Sequence, residues 1–233
     1  MNRIHDPGIE SETERVSRIY DGYARSARRR RAWAADNAGN RAIRAELLDA
    51  LRLVSGRRLA GEGRILDVGC GRGYWLERLI ADGVSPSRLH GVDIIAERLD
   101  GTRLPPDVEL RHADARALPY PAEHFSLVLL FTVLSSLASR ADARLALAQA
   151  RRVTAPGGLV VVYEPRIPQP LNRSTTWIRT EDVTDVLGPD VAIRTLTALP
   201  PLVRRLGRSA TKLYPYLSRC PPLRTHRLMT HER

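Results

Sequence analysis

The run Ile65-Leu66-Asp67-Val68-Gly69-Cys70-Gly71-Arg72-Gly73 passes at once into Tyr74-Trp75-Leu76-Glu77-Arg78-Leu79-Ile80. Apolar β-formers around Asp67 lead into a turn with glycine at every second position. Residues with helical apolar spacing follow. Glycine there permits a tight strand-to-helix turn and lets a ligand lie against bare backbone. The first amides of the following helix can donate to a polar or anionic group. The stretch therefore predicts a nucleotide-type pocket at the carboxyl edge of a parallel sheet.

Working outward, strands and helices alternate. Arg64–Val68, Arg88–Ile94, Val108–His112, Phe125–Val133 and Leu159–Glu164 read as strands, and the fourth is apolar almost throughout, as a strand covered on both faces should be. Tyr74–Ala81, a short helix at Ala96–Leu99 and Arg140–Val153 lie between them, with Pro156-Gly157-Gly158 as the turn into the fifth strand. This pattern predicts an α/β, doubly wound, mostly parallel sheet. Before it, Val16 to Leu53 has helical spacing with a break near Asp36–Asn40. After it, Thr180–Leu187 reads as a helix capped by Thr180, and Val191–Leu199 and Thr225–His231 read as strands. Residues 1–58 are expected to form a helical cap and 59–233 the main domain, with a proline-punctuated helical insert over 200–222.

The chain has 233 residues, enough for one such domain with small additions. It contains no apolar run of the roughly 20 residues that span a bilayer. Its first thirty residues are too polar for a signal peptide. Two cysteines, Cys70 and Cys220, make neither a disulfide framework nor a zinc cluster, so a cytoplasmic chain without a metal is expected. The formal charge of +11 is almost all arginine, since Lys212 is the only lysine. One basic block is Arg28-Arg29-Arg30-Arg31. Another follows Asp190, where Glu232 is the only acid among eight arginines and Lys212. Such charge suits solvated faces, or attraction to an anionic partner.

Three acids mark successive strand ends or the turn after the first: Asp67, Asp93 and Asp114. One carboxylate after the second strand can accept from both hydroxyls of a ribose. An acid after the third can accept from an adenine amino group. Singly, each is as well read as a turn or cap residue. A dinucleotide fingerprint needs G-x-G-x-x-G, but the spacing here is G-x-G-x-G and the place of that third glycine belongs to Tyr74. No Gly-Lys-Ser/Thr follows, so a Walker loop is excluded.

In combination the motifs resemble the class I S-adenosylmethionine-dependent methyltransferases. Asp67–Gly73 is similar to their first motif and Gly91-Val92-Asp93-Ile94 to their ribose motif. Asp114-Ala115, Leu118-Pro119-Tyr120 and Phe125–Val128 look like the adenine-side motif, and Arg151–Leu159 matches the segment that follows. The resemblance covers about residues 60 to 165. It implies a Rossmann-like sheet of seven strands with an antiparallel final hairpin and an N-terminal helical lid. It also implies S-adenosyl-L-methionine as cofactor, held by Asp67, Gly69, Cys70, Gly71, Gly73, Asp93, Ile94, Asp114, Ala115, Phe131 and Thr132. Tyr20, Tyr23 and Trp33 are candidate lid aromatics, with helix–helix packing as the plainer reading.

The segment after the fourth strand, Phe131-Thr132-Val133-Leu134-Ser135-Ser136, lacks the Asn/Asp-Pro-Pro-aromatic motif of exocyclic-nitrogen methylation. It also lacks a nearby histidine base. Glu164, at the end of the fifth strand, is the candidate base, ahead of His226 and of His124, which precedes its strand. Pairing with Arg166 is the alternative for Glu164. The expected reaction is O-methylation of a small molecule: a sugar, a lipid-linked glycan or a secondary metabolite. The basic tail suits an anionic or lipid-linked acceptor and peripheral membrane contact. Methylation of RNA or protein is the competing enzyme reading, favoured only by charge, and a catalytically silent binding protein of this fold is the third.

Overall fold

In the computed structural model, seven strands form one sheet of order β3-β2-β1-β4-β5-β7-β6. Described are residues 11–27, 31, 34, 36–168 and 174–233, without the side chains of 23 and 24. The strands are β1 (Ile65–Val68), β2 (Leu89–Asp93), β3 (Glu109–His112), β4 (Phe125–Phe131), β5 (Thr154–Pro165), β6 (Ala192–Ala198) and β7 (Arg224–Glu232). Only β7 runs against its neighbours. The expected doubly wound sheet with its antiparallel final hairpin is therefore present. Strand order reverses between β1 and β4, and open α/β sheets hold ligands at the carboxyl side of such a switch point.

Eight helices flank the sheet among the described residues: α1 (Glu12–Arg25), α2 (Ala38–Ala60), α3 (Tyr74–Ala81), α4 (Ala96–Asp100), α5 (Arg140–Val153), α6 (Thr180–Leu187), α7 (Pro200–Arg205) and α8 (Ala210–Leu217). Because side chains alternate along a strand, the buried β1 and β4 serve two cores. Leu66, Val68, Val128 and Leu130 meet Ala143, Leu147 and Ala150 of α5 and Val183 and Leu187 of α6. Ile65, Leu127 and Leu129 meet Leu47 and Leu51 of α2 and Leu76 and Leu79 of α3. A smaller cluster of Ala38, Ala198, Val203, Ala210 and Tyr214 seats α7 and α8 against the start of α2. The segment before β1 thus divides by role, since α2 packs into the sheet core while Val16 and Tyr20 of α1 face the cleft described below.

Two local expectations change. The fifth strand begins at Thr154, five residues early, and Pro156-Gly157-Gly158 runs inside it. Thr154 pairs with Phe125 of β4 across a register shift that precedes Leu127 and Leu159. The Gly157 amide donates to Arg233 O at 2.6 Å and the Arg233 amide to Gly158 O at 2.9 Å, which holds the turn residues in the strand. Thr180 is the first residue of α6 and not its cap. The cap position is Arg179, whose amide donates to the Asp182 carboxylate at 2.9 Å, while the Thr180 hydroxyl accepts from Arg227 at 2.6 Å. Trp33, Arg28–Arg30 and the side chain of Tyr23 lie outside the described residues.

Candidate active site

The glycine turn follows from the backbone it must adopt. Gly69, Gly71 and Gly73 have φ of 72°, 58° and 80°, in the left-handed region that L side chains avoid. The Gly69 and Cys70 amides donate to Val92 O at 2.7 and 2.9 Å, which folds the turn onto the end of β2. Gly73 ends the turn directly before α3.

Beside this turn a cleft opens at the carboxyl edge, where β1 parts from β4. It is lined by Gly69, Val92, Asp93, Ile94, Ala113, Asp114 and Ala115 on one side and by residues 131–133, 136 and 137 on the other. Val16 and Tyr20 of α1 complete it, together with Arg98. The Arg98 guanidinium lies 3.7 Å from the Tyr20 ring centroid, a cation–π contact, and 3.9 Å from Asp93 Oδ2. On the opposite rim Arg15 donates to Ser136 O. So α1 is fastened to both sides of the cleft. Of the expected binding residues, Gly69, Asp93, Ile94, Asp114, Ala115, Phe131 and Thr132 line it. The contribution of Arg98 was missed, because an arginine in a short helix five residues past Asp93 carries no motif.

Asp93 sits at the junction of the turn and the cleft. Its Oδ2 accepts the Gly71 amide at 2.8 Å and its Oδ1 the Ile95 amide at 2.9 Å. Asp67 stands behind it, 1% exposed, with Oδ2 lacking any hydrogen-bond partner. Burial, and then the charge of Asp93, push the Asp67 carboxyl up to about 8. Asp114 turns its carboxylate onto Arg116, which also holds Asp142 at 2.8 Å. The Cys70 side chain points away from the cleft, into the core beside Gly91 and Leu76, and burial raises its thiol. Thr132 has φ +58° and its amide donates to Tyr163 O at 2.8 Å, so a β-branched residue is held in a costly conformation at the cleft wall.

Glu164 is not among the groups that line the cleft. It is fully buried behind the wall, where Oε1 accepts the Leu134 and Ser135 amides at 2.8 and 3.3 Å and Oε2 has no partner. Burial raises its carboxyl and hydrogen bonds from Ser135 and Leu134 resist that rise, leaving it near about 7. Arg166 donates instead to Arg224 O. His226 stacks on Tyr163 at 5.0 Å, its Nδ1 lies 2.9 Å from the Thr225 hydroxyl, and burial holds it down to about 4. His124 precedes β4 and stacks with Tyr120, at the strand end away from the cleft.

A family model described as a methyltransferase domain matches residues 65–158, the span from β1 to the glycines of β5. Residues 65–158 are a methyltransferase domain. The described residues have the fold of class I S-adenosylmethionine-dependent methyltransferases. A demethylmenaquinone methyltransferase of Staphylococcus aureus is 33% identical over 109 residues, 45% of this chain and 44% of that protein. The chain spans less than half the length of the curated relatives it matches. Among solved structures, the N-methyltransferase NodS of Bradyrhizobium japonicum, in complex with S-adenosyl-l-homocysteine, superposes with a TM-score of 0.62 at 19% identity, covering 94% of this chain and 98% of that one. The geranyl diphosphate C-methyltransferase of Streptomyces coelicolor superposes with a TM-score of 0.60 at 14% identity, covering 94% and 97%. At these identities the likeness shows the fold of the methyltransferase domain and its flanking helices. Among the described residues, no helix is long and apolar enough to cross a membrane.

Proposed function

We propose that this chain is an S-adenosylmethionine-dependent methyltransferase acting on a small molecule, with the methyl donor bound between the glycine turn and α1. The observation that carries the reading is the pairing of Asp93 with the Gly71 amide at the mouth of the cleft. A carboxylate fixed there keeps lone pairs for ribose hydroxyls. Asp67 lies behind Asp93 and outside the cleft lining, so its orphaned Oδ2 would be satisfied through a water between it and the donor, because a buried polar atom without a partner is costly. A Cβ built on Gly71 would meet nothing within 4 Å, so the turn has open space above it. Asp114, steadied by Arg116, would accept from the adenine amino group at the rim. Gly69, Phe131 and Thr132 would shape the methionine end, and Ile94 and Ala115 would flank the adenine. Cys70 and Gly73 would contribute backbone geometry alone.

The bound donor supplies an electrophilic methyl group on a sulfonium. What the chain supplies is placement, since holding two reactants in line is worth about 7–11 kcal/mol of barrier. The wall of residues 131–137 would set that placement, and Glu164 would fix the wall through the Leu134 and Ser135 amides. We therefore read Glu164 as a positioning residue, because a base must come within hydrogen-bond reach of the acceptor proton. Residues 1–58 would act as the cap through α1. The acceptor we favour carries a hydroxyl, since the motif for exocyclic nitrogen is missing after β4. Incubation with methyl-labelled donor and candidate acceptors, read by mass spectrometry, tests the reading. Label transfer lost in Asp93→Ala is the expected result. A chain that binds no donor would remove it.

A further inference from the structure

The insert between β6 and β7 is not used by the methyl-transfer reading. Ala198 ends β6 opposite Arg224, and His226 pairs with Pro165 at the carboxyl end of β5. Residues 199–223 therefore lie on the same sheet edge as the cleft. Val203, Ala210 and Tyr214 hold the insert down, and the Tyr214 hydroxyl donates to Glu46 of α2 at 2.6 Å. What remains outside combines apolar with basic side chains. Leu213 is 44% exposed, Tyr216 70% and Leu202 38%. Leu213 and Tyr216 are three residues apart on α8 and Lys212 and Tyr216 four, so these side chains share one helix face. Arg205, Arg208 and Arg219 of the same insert are exposed as well. Residues 199–223 contain no acid, and among the described residues no ion pair engages Arg205, Arg208, Lys212 or Arg219.

We infer that this face docks on the surface of an anionic lipid bilayer. Charge complementarity selects the partner's sign, since cations without local counter-charges are attracted to an acidic surface. The apolar side chains select a lipid over a purely ionic polymer. Two aliphatic side chains and a tyrosine ring between cations can enter the headgroup boundary, whereas phosphates alone would leave Leu202 and Leu213 in water. Tyrosine suits that interface because its ring is apolar and its hydroxyl stays wet. Docked this way, the carboxyl edge of the sheet, with its cleft, lies beside the bilayer. The inference rests on the insert alone and does not depend on the methyl-transfer reading.

The test is sedimentation of the whole chain with vesicles, without any methyl donor. Vesicles of phosphatidylcholine with one-third phosphatidylglycerol should carry the protein down, pure phosphatidylcholine should not, and raising salt from 50 to 500 mM should release it. The pair Leu213→Asp and Tyr216→Asp should weaken binding at least tenfold with an unchanged melting temperature, because both side chains face solvent. Should that pair fail to fold, Arg205→Gln with Arg208→Gln and Lys212→Gln gives the same reading through charge. Absence of binding to the anionic vesicles would overturn the inference, as would equal binding by both variants. A soluble polyanion bound as tightly as the vesicles, with no effect of Leu213 or Tyr216, would replace the lipid by a nucleic acid. A dimer dissolved by the substitutions, without vesicle binding, would replace it by a second copy.

Discussion

The carboxylate of Asp93, on the last residue of β2, accepts the amide of Gly71, 22 residues earlier, at 2.8 Å. One side chain thus fixes the glycine turn and faces the cleft. Asp93→Ala should lose both roles. A hydrogen bond to a charged group is worth about 1.5–3 kcal/mol, so donor affinity should fall by roughly ten- to a hundredfold and the melting temperature by several degrees. Asp93→Asn should retain more of the turn than of the affinity. Calorimetric titration beside thermal melts checks this, and equal affinity in all three proteins would remove Asp93 from the site.

Gly71 separates backbone strain from steric exclusion. Its φ is +58°, and an added Cβ would find nothing within 4 Å of protein. Gly71→Ala should therefore cost only about 1–2 kcal/mol of stability, the left-handed penalty. If the donor fills the open space above the turn, affinity should drop at least tenfold in the same variant. A variant that melts lower yet binds as the wild type does would move the donor off the turn.

Ligand-free stability should carry opposing pH contributions. Two buried acids lower it as pH rises, while His226 and the other histidines held down by burial raise it up to the ordinary imidazole range. Asp67 is raised to about 8 and Glu164 to about 7, both first by burial. Above the ordinary carboxyl range, near pH 4, the unfolded chain has released protons that these two folded carboxyls still hold, so their contribution to stability falls as pH rises toward 7 to 8. Asp182 has the opposite sign. Burial pushes it up, but hydrogen bonds from Arg140, the Arg179 amide and Arg144 hold it at about 2, so its contribution is lost only below pH 4. The melting temperature at pH 8 minus that at pH 5 should be more positive in Asp67→Asn than in the wild type. An equal difference in the two proteins would contradict the burial of Asp67 as a cause.

Glu164 can be tested as a support of the wall. Glu164→Gln keeps an acceptor for the Leu134 and Ser135 amides, so turnover should stay within a few-fold and its pH profile should keep its shape. Glu164→Leu leaves two buried amides unpaired, at about 1–3 kcal/mol each, and should weaken donor binding as well as turnover. A Gln variant that binds the donor normally, turns over a hundredfold more slowly and loses a rising limb near pH 7 would restore Glu164 as the base.

How much of this was legible in the sequence depends on the range over which each feature is determined. The β1 turn and α3 follow from glycine spacing within nine residues, and α3 and α5 have the predicted bounds. The strand ends bearing Asp93 and Asp114 were legible for the same local reason. The early start of β5 was not, because Thr154 pairs with Phe125 across a register shift and Gly157 is held by Arg233, 76 positions away. The burial of Glu164 was equally hidden. A carboxylate at a strand end can face the cleft or pass behind its wall, and only the fold of residues 134–136 decides which. The bond between Arg15 and Ser136 joins residues 121 apart and left no pattern at all.

The cleft beside the glycine turn is where the methyl donor is proposed to bind. Calorimetric titration of the ligand-free chain with S-adenosylmethionine tests it most directly. One site per chain in the wild type and a loss of ten- to a hundredfold in Asp93→Ala, about 1.4–2.7 kcal/mol, are expected. No binding by a wild-type chain that melts cooperatively would contradict it.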